Sequence, residues 1–278
     1  MPDEQKNLIR SLEGFYIPSN PAVLDRLDYA LSEPNVDIID IADIVATDIG
    51  LSSAILKIIN SPFYGMSRTV VDIKQATILL GLDTVKAVHA KAMSRVGSQE
   101  NSCISLERFW DNASDIANTM EYIGENIKTK LPKEHLRTVG LFHDCGIPAF
   151  ANRYPNYINT LVAMDRSSHL TNTEIENEQY NSNHAVMGYY IACAWNIPKD
   201  ICEIILHHHD VNFLQSQHDE HVQLTFACLK AAENMVEKAK RFKDTNEWPH
   251  IMEDVCDTLG FDIRDYQDLE DDICEMMN

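Results

Sequence analysis

The stretch Leu136-Arg137-Thr138-Val139-Gly140-Leu141-Phe142-His143-Asp144-Cys145-Gly146-Ile147-Pro148 holds a helix, its end and two metal-ligating residue types in thirteen positions. Leu136, Val139, Leu141 and Phe142 recur at helical spacing. Pro132 suits the first turn of that helix. The helix reaches His143-Asp144 and stops near Gly146 and Pro148. Exposed carbonyls at a helix C-terminus favour a cation. Imidazole and carboxylate side chains suit Fe, Mn or Zn.

Toward the C-terminus, the periodicity predicts helices over residues 156–164, 184–195, 199–208 and 222–242. His184 opens one of them, and His207-His208-His209 closes another. From Glu253 the chain is acidic but keeps Ile263, Leu269 and Ile273, which predicts a short capping helix. Toward the N-terminus, residues 106–128 read as one long helix, and the polar residues 96–105 as a boundary. Before it come a helix over residues 84–96, Gly81 as a left-handed terminator, and an Asp72–Gln75 capping box. Residues 51–59 form a short helix stopped by Asn60-Ser61-Pro62, preceded by amphipathic stretches over 37–46 and 21–31. The chain is therefore expected to be all-α, with a helical half over residues 1–105 and a second over 106–278. The apolar faces of residues 84–96 and 106–128 are expected to join the halves.

Composition agrees. Only 10 Gly and 10 Pro in 278 residues argue against a many-stranded fold. The formal net charge of −20 repels phosphate backbones and anionic membranes, so a basic protein surface is the better partner. No secretory signal is visible in residues 1–10, and no uncharged apolar run is long enough to span a bilayer. Seven Cys without a Cys-x-x-Cys pair, among them Cys193 and Cys202 in apolar helices, read as reduced thiols in a cytoplasm.

Ile17-Pro18-Ser19-Asn20-Pro21, Leu31-Ser32-Glu33-Pro34, Ile44 to Leu51, Asn60-Ser61-Pro62-Phe63-Tyr64-Gly65 and Leu80-Gly81-Leu82 occur in an order that resembles the HDOD domain, the HD-related output domain of bacterial signalling proteins. Phe109-Trp110, Gly140 to Gly146, His184 with Gly188, Trp195-Asn196-Ile197-Pro198, Ile205 and His208-His209 continue the resemblance over nearly the whole chain. It implies a helical N-terminal half packed on a half related to HD phosphohydrolases, and a signalling role. The HD pattern is a His, a His-Asp pair and a later Asp around a metal, with accessory histidines in two-metal versions. His143 and Asp144 match the pair; His184, His208 and His209 match the accessory positions. Asn112 and Cys228 stand where the first His and the later Asp are expected, so the ligand set is incomplete. The resemblance therefore implies a regulatory module acting through another signalling protein without catalysis. The alternatives are a metal-dependent phosphohydrolase, and a sensor holding a small nucleotide between the halves.

Other signals are weaker. Ala46, Gly50 and Leu56 have helix-turn-helix spacing, yet the second helix offers only Lys57 as a cation, with Ser52 and Ser53, so binding to nucleic acid is not expected. Lys238, Lys240, Arg241 and Lys243 form the densest basic run, read as a solvated face, with an anion site as the alternative. Asn60, Ser61 and Tyr64 are read as a helix stop, with a partner surface as the alternative. His89, Met187, Tyr190 and Trp195 are expected to be packing residues.

Overall fold

A computed structural model describes residues 16–96, 102–167 and 172–277, and no strand occurs among them. The N-terminal half holds α1 (Pro21–Ser32), α2 (Ile38–Val45), α3 (Ile49–Ile59) and α4 (Ile73–Met93). The rest of the chain holds α5 (Leu106–Asn126), α6 (Lys133–Phe142), α7 (Gly146–Arg153), α8 (Tyr157–Arg166), α9 (Asn172–Tyr180), α10 (His184–Ala194), α11 (Lys199–His207), α12 (Glu220–Arg241), α13 (Trp248–Leu259) and α14 (Ile263–Met277). One continuous core of buried residues runs from Ile17 to Ile273.

Short polar side chains start these helices. Asn20, Asp37, Asp72, Ser105, Asn183 and Asp219 each accept a backbone N–H of the first turn that has no intrahelical partner. Gly81 breaks α4 into two segments, as a glycine stop predicts, but at φ 76° and ψ 169° its ψ is extended rather than the left-handed helical value of a terminator. Three helices go beyond the expected set: α7, which starts where a helix stop was expected, α9, and one of the two in the acidic tail. The acidic tail forms α13 and a long α14, because Tyr266, Leu269 and Ile273 bury one face of the latter. Helix α9 has a polar sequence with no apolar stripe. It is held by side-chain bonds to α8, including Thr160 Oγ1 to Gln179 Oε1 at 2.7 Å.

The halves meet through α6 and the segment before α1. Arg137 Nε donates to the Ala46 carbonyl at 3.1 Å, and the Thr138 hydroxyl donates to the Val71 carbonyl at 3.1 Å. Trp110 Nε1 donates to the Pro18 carbonyl at 2.9 Å. The first two bonds mount the N-terminal half on α6, which leads into His143 and Asp144, and the third ties it to α5.

Asp48, the N-cap of α3, accepts Leu51 N at 2.6 Å and Asn20 N at 2.7 Å. Its carboxylate thus ties the entering segment to α3. Gly50 permits that approach, since a Cβ there would lie 2.8 Å from the Ile17 carbonyl. Asp48→Ala would leave two N–H groups without an acceptor in a buried setting. The expected loss is about 2–3 kcal/mol, read as a lower urea midpoint at unchanged slope. A change within about 0.5 kcal/mol would show that the tie contributes nothing.

Candidate metal centre

The C-terminus of α6 presents His143 and Asp144, the first turn of α10 presents His184, and the end of α11 presents His208 and His209. Asp144 Oδ1 lies 3.4 Å from both His184 Nε2 and His208 Nε2. His184 Nε2 lies 2.9 Å from His209 Nε2 and 3.3 Å from His208 Nε2. One ligand atom from each of Asp144, His184, His208 and His209 falls within 4.8 Å of all the others. Asp144 is the most open of the group, with 23% of its side chain exposed. Glycine makes the convergence feasible: a Cβ on Gly146 would sit 1.9 Å from the His184 carbonyl, so only glycine lets α7 and α10 touch there.

Each ring is oriented from behind. His143 Nδ1 faces the Gly140 carbonyl at 2.7 Å, and His208 Nδ1 faces the Ile205 carbonyl at 2.8 Å. A carbonyl only accepts, so both rings carry a proton on Nδ1. His184 Nδ1 meets Glu176 Oε2 at 2.6 Å, and His209 Nδ1 meets Glu247 Oε1 at 2.7 Å. Glu176 is itself fixed by the Tyr157 hydroxyl and by His184 N. All four rings therefore turn Nε2 inward. Carboxylate and carbonyl partners behind imidazoles are the usual supports of metal-binding histidines.

The charges are interlocked. Lys230, on α12, is buried and reaches Glu247 Oε2 at 2.7 Å and Glu233 Oε2 at 2.5 Å. Glu233 Oε1 lies 3.8 Å from His143 Nε2, which closes a ring of alternating charge around the cluster. Burial alone would lower the Lys230 ammonium, but the two glutamates outweigh it and raise it. Burial would raise Asp144; His143, His208 and His184 instead hold its carboxyl well below the usual range. Burial and the neighbouring His209 push His208 down to about 4.

His184 behaves oppositely. Burial opposes its charge, but Glu176 and then Asp144 raise it to about 9. In the metal-free protein His184 therefore holds a proton on Nε2, directed at the Nε2 lone pair of His209. Its folded value lies above the ordinary 6.5. The stability from this pair is then complete below about pH 6.5 and lost as pH rises through about 9. Metal-free protein is expected to show a falling melting temperature across that window. Glu176→Gln should flatten the fall, and an unaltered profile would refute the assignment.

The other residues singled out in the sequence lie elsewhere. His207 faces solvent, with 42% of its side chain exposed, so His208 and His209 are the pair in the cluster. Asn112 accepts from Lys240 at 3.4 Å. Cys228 is enclosed in the core, about 200° around α12 from Lys230. The side chains that α12 sends to the site are Lys230 and Glu233. The basic run is paired internally: Lys238 with Asp244, Lys240 with Asp115, and Arg241 and Lys243 with Asp165. Ser52 and Ser53 are buried and bond to Val45 and Gly50 carbonyls, so they offer nothing to a DNA groove. His89 is a buried packing histidine, with Nε2 3.1 Å from the Leu24 carbonyl.

Sequence reading missed Glu176, Lys230, Glu233 and Glu247. Lys230 and Glu233 did leave a signal, as charges three residues apart within the apolar run Leu224–Val236. Glu176 and Glu247 left none, because only tertiary packing brings them to His184 and His209.

With fold and site defined, relatives can be placed. Residues 17–211 match the HDOD domain, and the chain belongs to that family. Lys230, Glu233 and Glu247 lie beyond the matched region. The MmoQ response regulator of Methylococcus capsulatus str. Bath is similar in structure, with TM-score 0.72 and 19% identity, covering 92% of this chain and 98% of that one. A virulence factor of Campylobacter jejuni has TM-score 0.71 and 18% identity, covering 98% and 99%. An uncharacterised protein of Treponema pallidum (strain Nichols) is 22% identical over 196 residues; the match spans 70% of this chain and 38% of that protein. No helix among the described residues is long and apolar enough to cross a membrane.

The donors fit a metal ion. His143 Nε2 is buried without a hydrogen-bond partner although Asp144 Oδ2 lies 3.3 Å away. Such an atom in a native site calls for an ion, a water or a proton. Asp144, His184, His208 and His209 would hold the ion, with His143 beside it, in a nitrogen-rich set with one carboxylate.

Proposed function

We propose that this protein is a signalling module of the cytoplasm whose HD-like half holds one divalent Fe, Mn or Zn ion for structure and acts by docking another protein, without turnover. The ring closed by Lys230 carries this reading. Its ammonium already neutralises Glu233 and Glu247, the carboxylates nearest the histidine cluster on the α12 side. Those oxygens are thus engaged, while the imidazoles are held by groups behind them. When bound, the ion would supply a Lewis acid joining the ends of α6 and α11 to the start of α10. The chain's own residues orient the rings, exclude water from His143 and His208, and keep one proton at His184 when the ion is gone. The description of the similar MmoQ protein as a response regulator supports the signalling role. The net charge of −20 favours a basic face on the partner and disfavours nucleic acid and anionic membrane. No disulfide links any of the seven cysteines, which suits a reducing compartment.

The orphaned Nε2 of His143 favours a second reading, a metal-dependent phosphohydrolase with a divergent site. One assay separates the two. Protein loaded with Mn, Fe or Zn is incubated with nucleotides and bis-p-nitrophenyl phosphate. The expected result is hydrolysis no faster than buffer with metal. Multiple turnover that disappears in Asp144→Ala would overturn the non-catalytic reading.

A further inference from the structure

A cavity of about 730 Å³ lies between the N-terminal half and the start of α5, away from the histidine cluster. Its size is that of a small-molecule site. Three basic side chains, Lys57, Lys91 and Arg95, line it, and no acidic one does among the described residues. The chain has 43 acidic and 23 basic residues, so a wall whose charged members are all cationic runs against its composition. The remaining wall is mainly apolar, with Trp110 and Trp195 among its aromatic members. The Arg95 guanidinium stacks over the Tyr16 ring at 3.8 Å, which fixes one cation at the wall.

The lip comes from the stretch Asn60 to Gly65, whose residues divide into two roles. Asn60 is structural: its amide donates to the Val70 carbonyl at 2.9 Å and accepts Val70 N at 2.7 Å. Ser61, Phe63 and Tyr64 line the cavity. Phe63 is 88% exposed and packs edge-on against Tyr64 at 5.3 Å, while Gly65, at φ 57°, supplies the turn that presents both rings. An exposed aromatic at the mouth of an apolar, cation-lined cavity is matched to a molecule with an apolar body and an anionic head.

We propose that this cavity binds a small amphipathic anion, an organic carboxylate or phosphate carrying an apolar body. The body lies against the aromatic wall, and the head meets Lys57 and Lys91 at the rim. The aliphatic or aromatic character of the body follows from which probe competes.

The test uses the full chain with its metal loaded and 1-anilinonaphthalene-8-sulfonate as reporter. Dye fluorescence is expected to saturate at one equivalent and to quench tryptophan emission, since Trp110 and Trp195 lie in the wall. Displacement by laurate would identify an acyl carboxylate body, and displacement by AMP a nucleotide-like one. Dodecanol, with the same chain as laurate and no charge, should compete at least about tenfold more weakly. The exposed pair Lys57→Ala/Lys91→Ala should weaken the dye about tenfold, and Ala54→Trp should abolish saturable binding, both without changing metal content. Displacement by neither anion, equal competition by dodecanol and laurate, or unchanged binding in Lys57→Ala/Lys91→Ala would overturn the proposal.

Discussion

Lys230→Met is expected to destabilise the protein by about 3–5 kcal/mol, the range for removing one partner of a buried ion pair. The ammonium stands 2.5 Å from Glu233 and 2.7 Å from Glu247, and methionine would leave both carboxylates buried without a cation. The effect should reach the histidine cluster, because Glu247 also orients His209. Metal affinity should therefore fall about 10–100-fold. A compensated variant separates the charge from the packing. Adding Glu233→Gln and Glu247→Gln to Lys230→Met removes the whole charge set and should recover most of the stability, with the metal defect retained. Urea unfolding and metal titration of the two variants decide it. A loss below about 1 kcal/mol in Lys230→Met would mean that the ring does not hold the site together.

The second large effect concerns Asp144, the carboxylate that faces three imidazoles. Asp144→Asn keeps the shape and removes the charge. Metal affinity is expected to fall by more than about 100-fold, beyond the usual effect of losing a supporting residue. The metal-free variant should also be less stable, because the proton on His184 loses one of its two nearest counter-charges. Competition with a chelating dye gives the affinity, and melting curves with and without metal give the linkage. Unchanged affinity would place the ion elsewhere.

The legible parts of the site were those written in local sequence. A helix that ends in His143-Asp144, another that opens on His184 and a third that closes on His208-His209 could be seen from periodicity, breakers and residue type. The break at Gly81 was legible for the same reason. The supporting layer was not. Glu176 sits on a helix without an apolar stripe, and Glu247 lies just outside α13. Nothing local ties either of them to a histidine. Cys228 shows the limit of counting along a helix: alignment by position directs attention to it, while the face turned to the cluster belongs to Lys230 and Glu233. The end of the chain was underestimated because an acidic segment with few apolar residues reads as a short cap. Helix α14 nonetheless buries Tyr266 against Trp248, with the rings stacked at 4.9 Å.

A single metal ion held by Asp144, His184, His208 and His209 underlies the proposed function. Anomalous diffraction from metal-loaded crystals, recorded at the Mn, Fe and Zn edges, tests it most directly. One peak bounded by those four side chains, with none between Glu233 and Glu247 where Lys230 sits, is the expected result. A second peak beside Glu233 and Glu247, or no peak at the histidine cluster after loading, would contradict it.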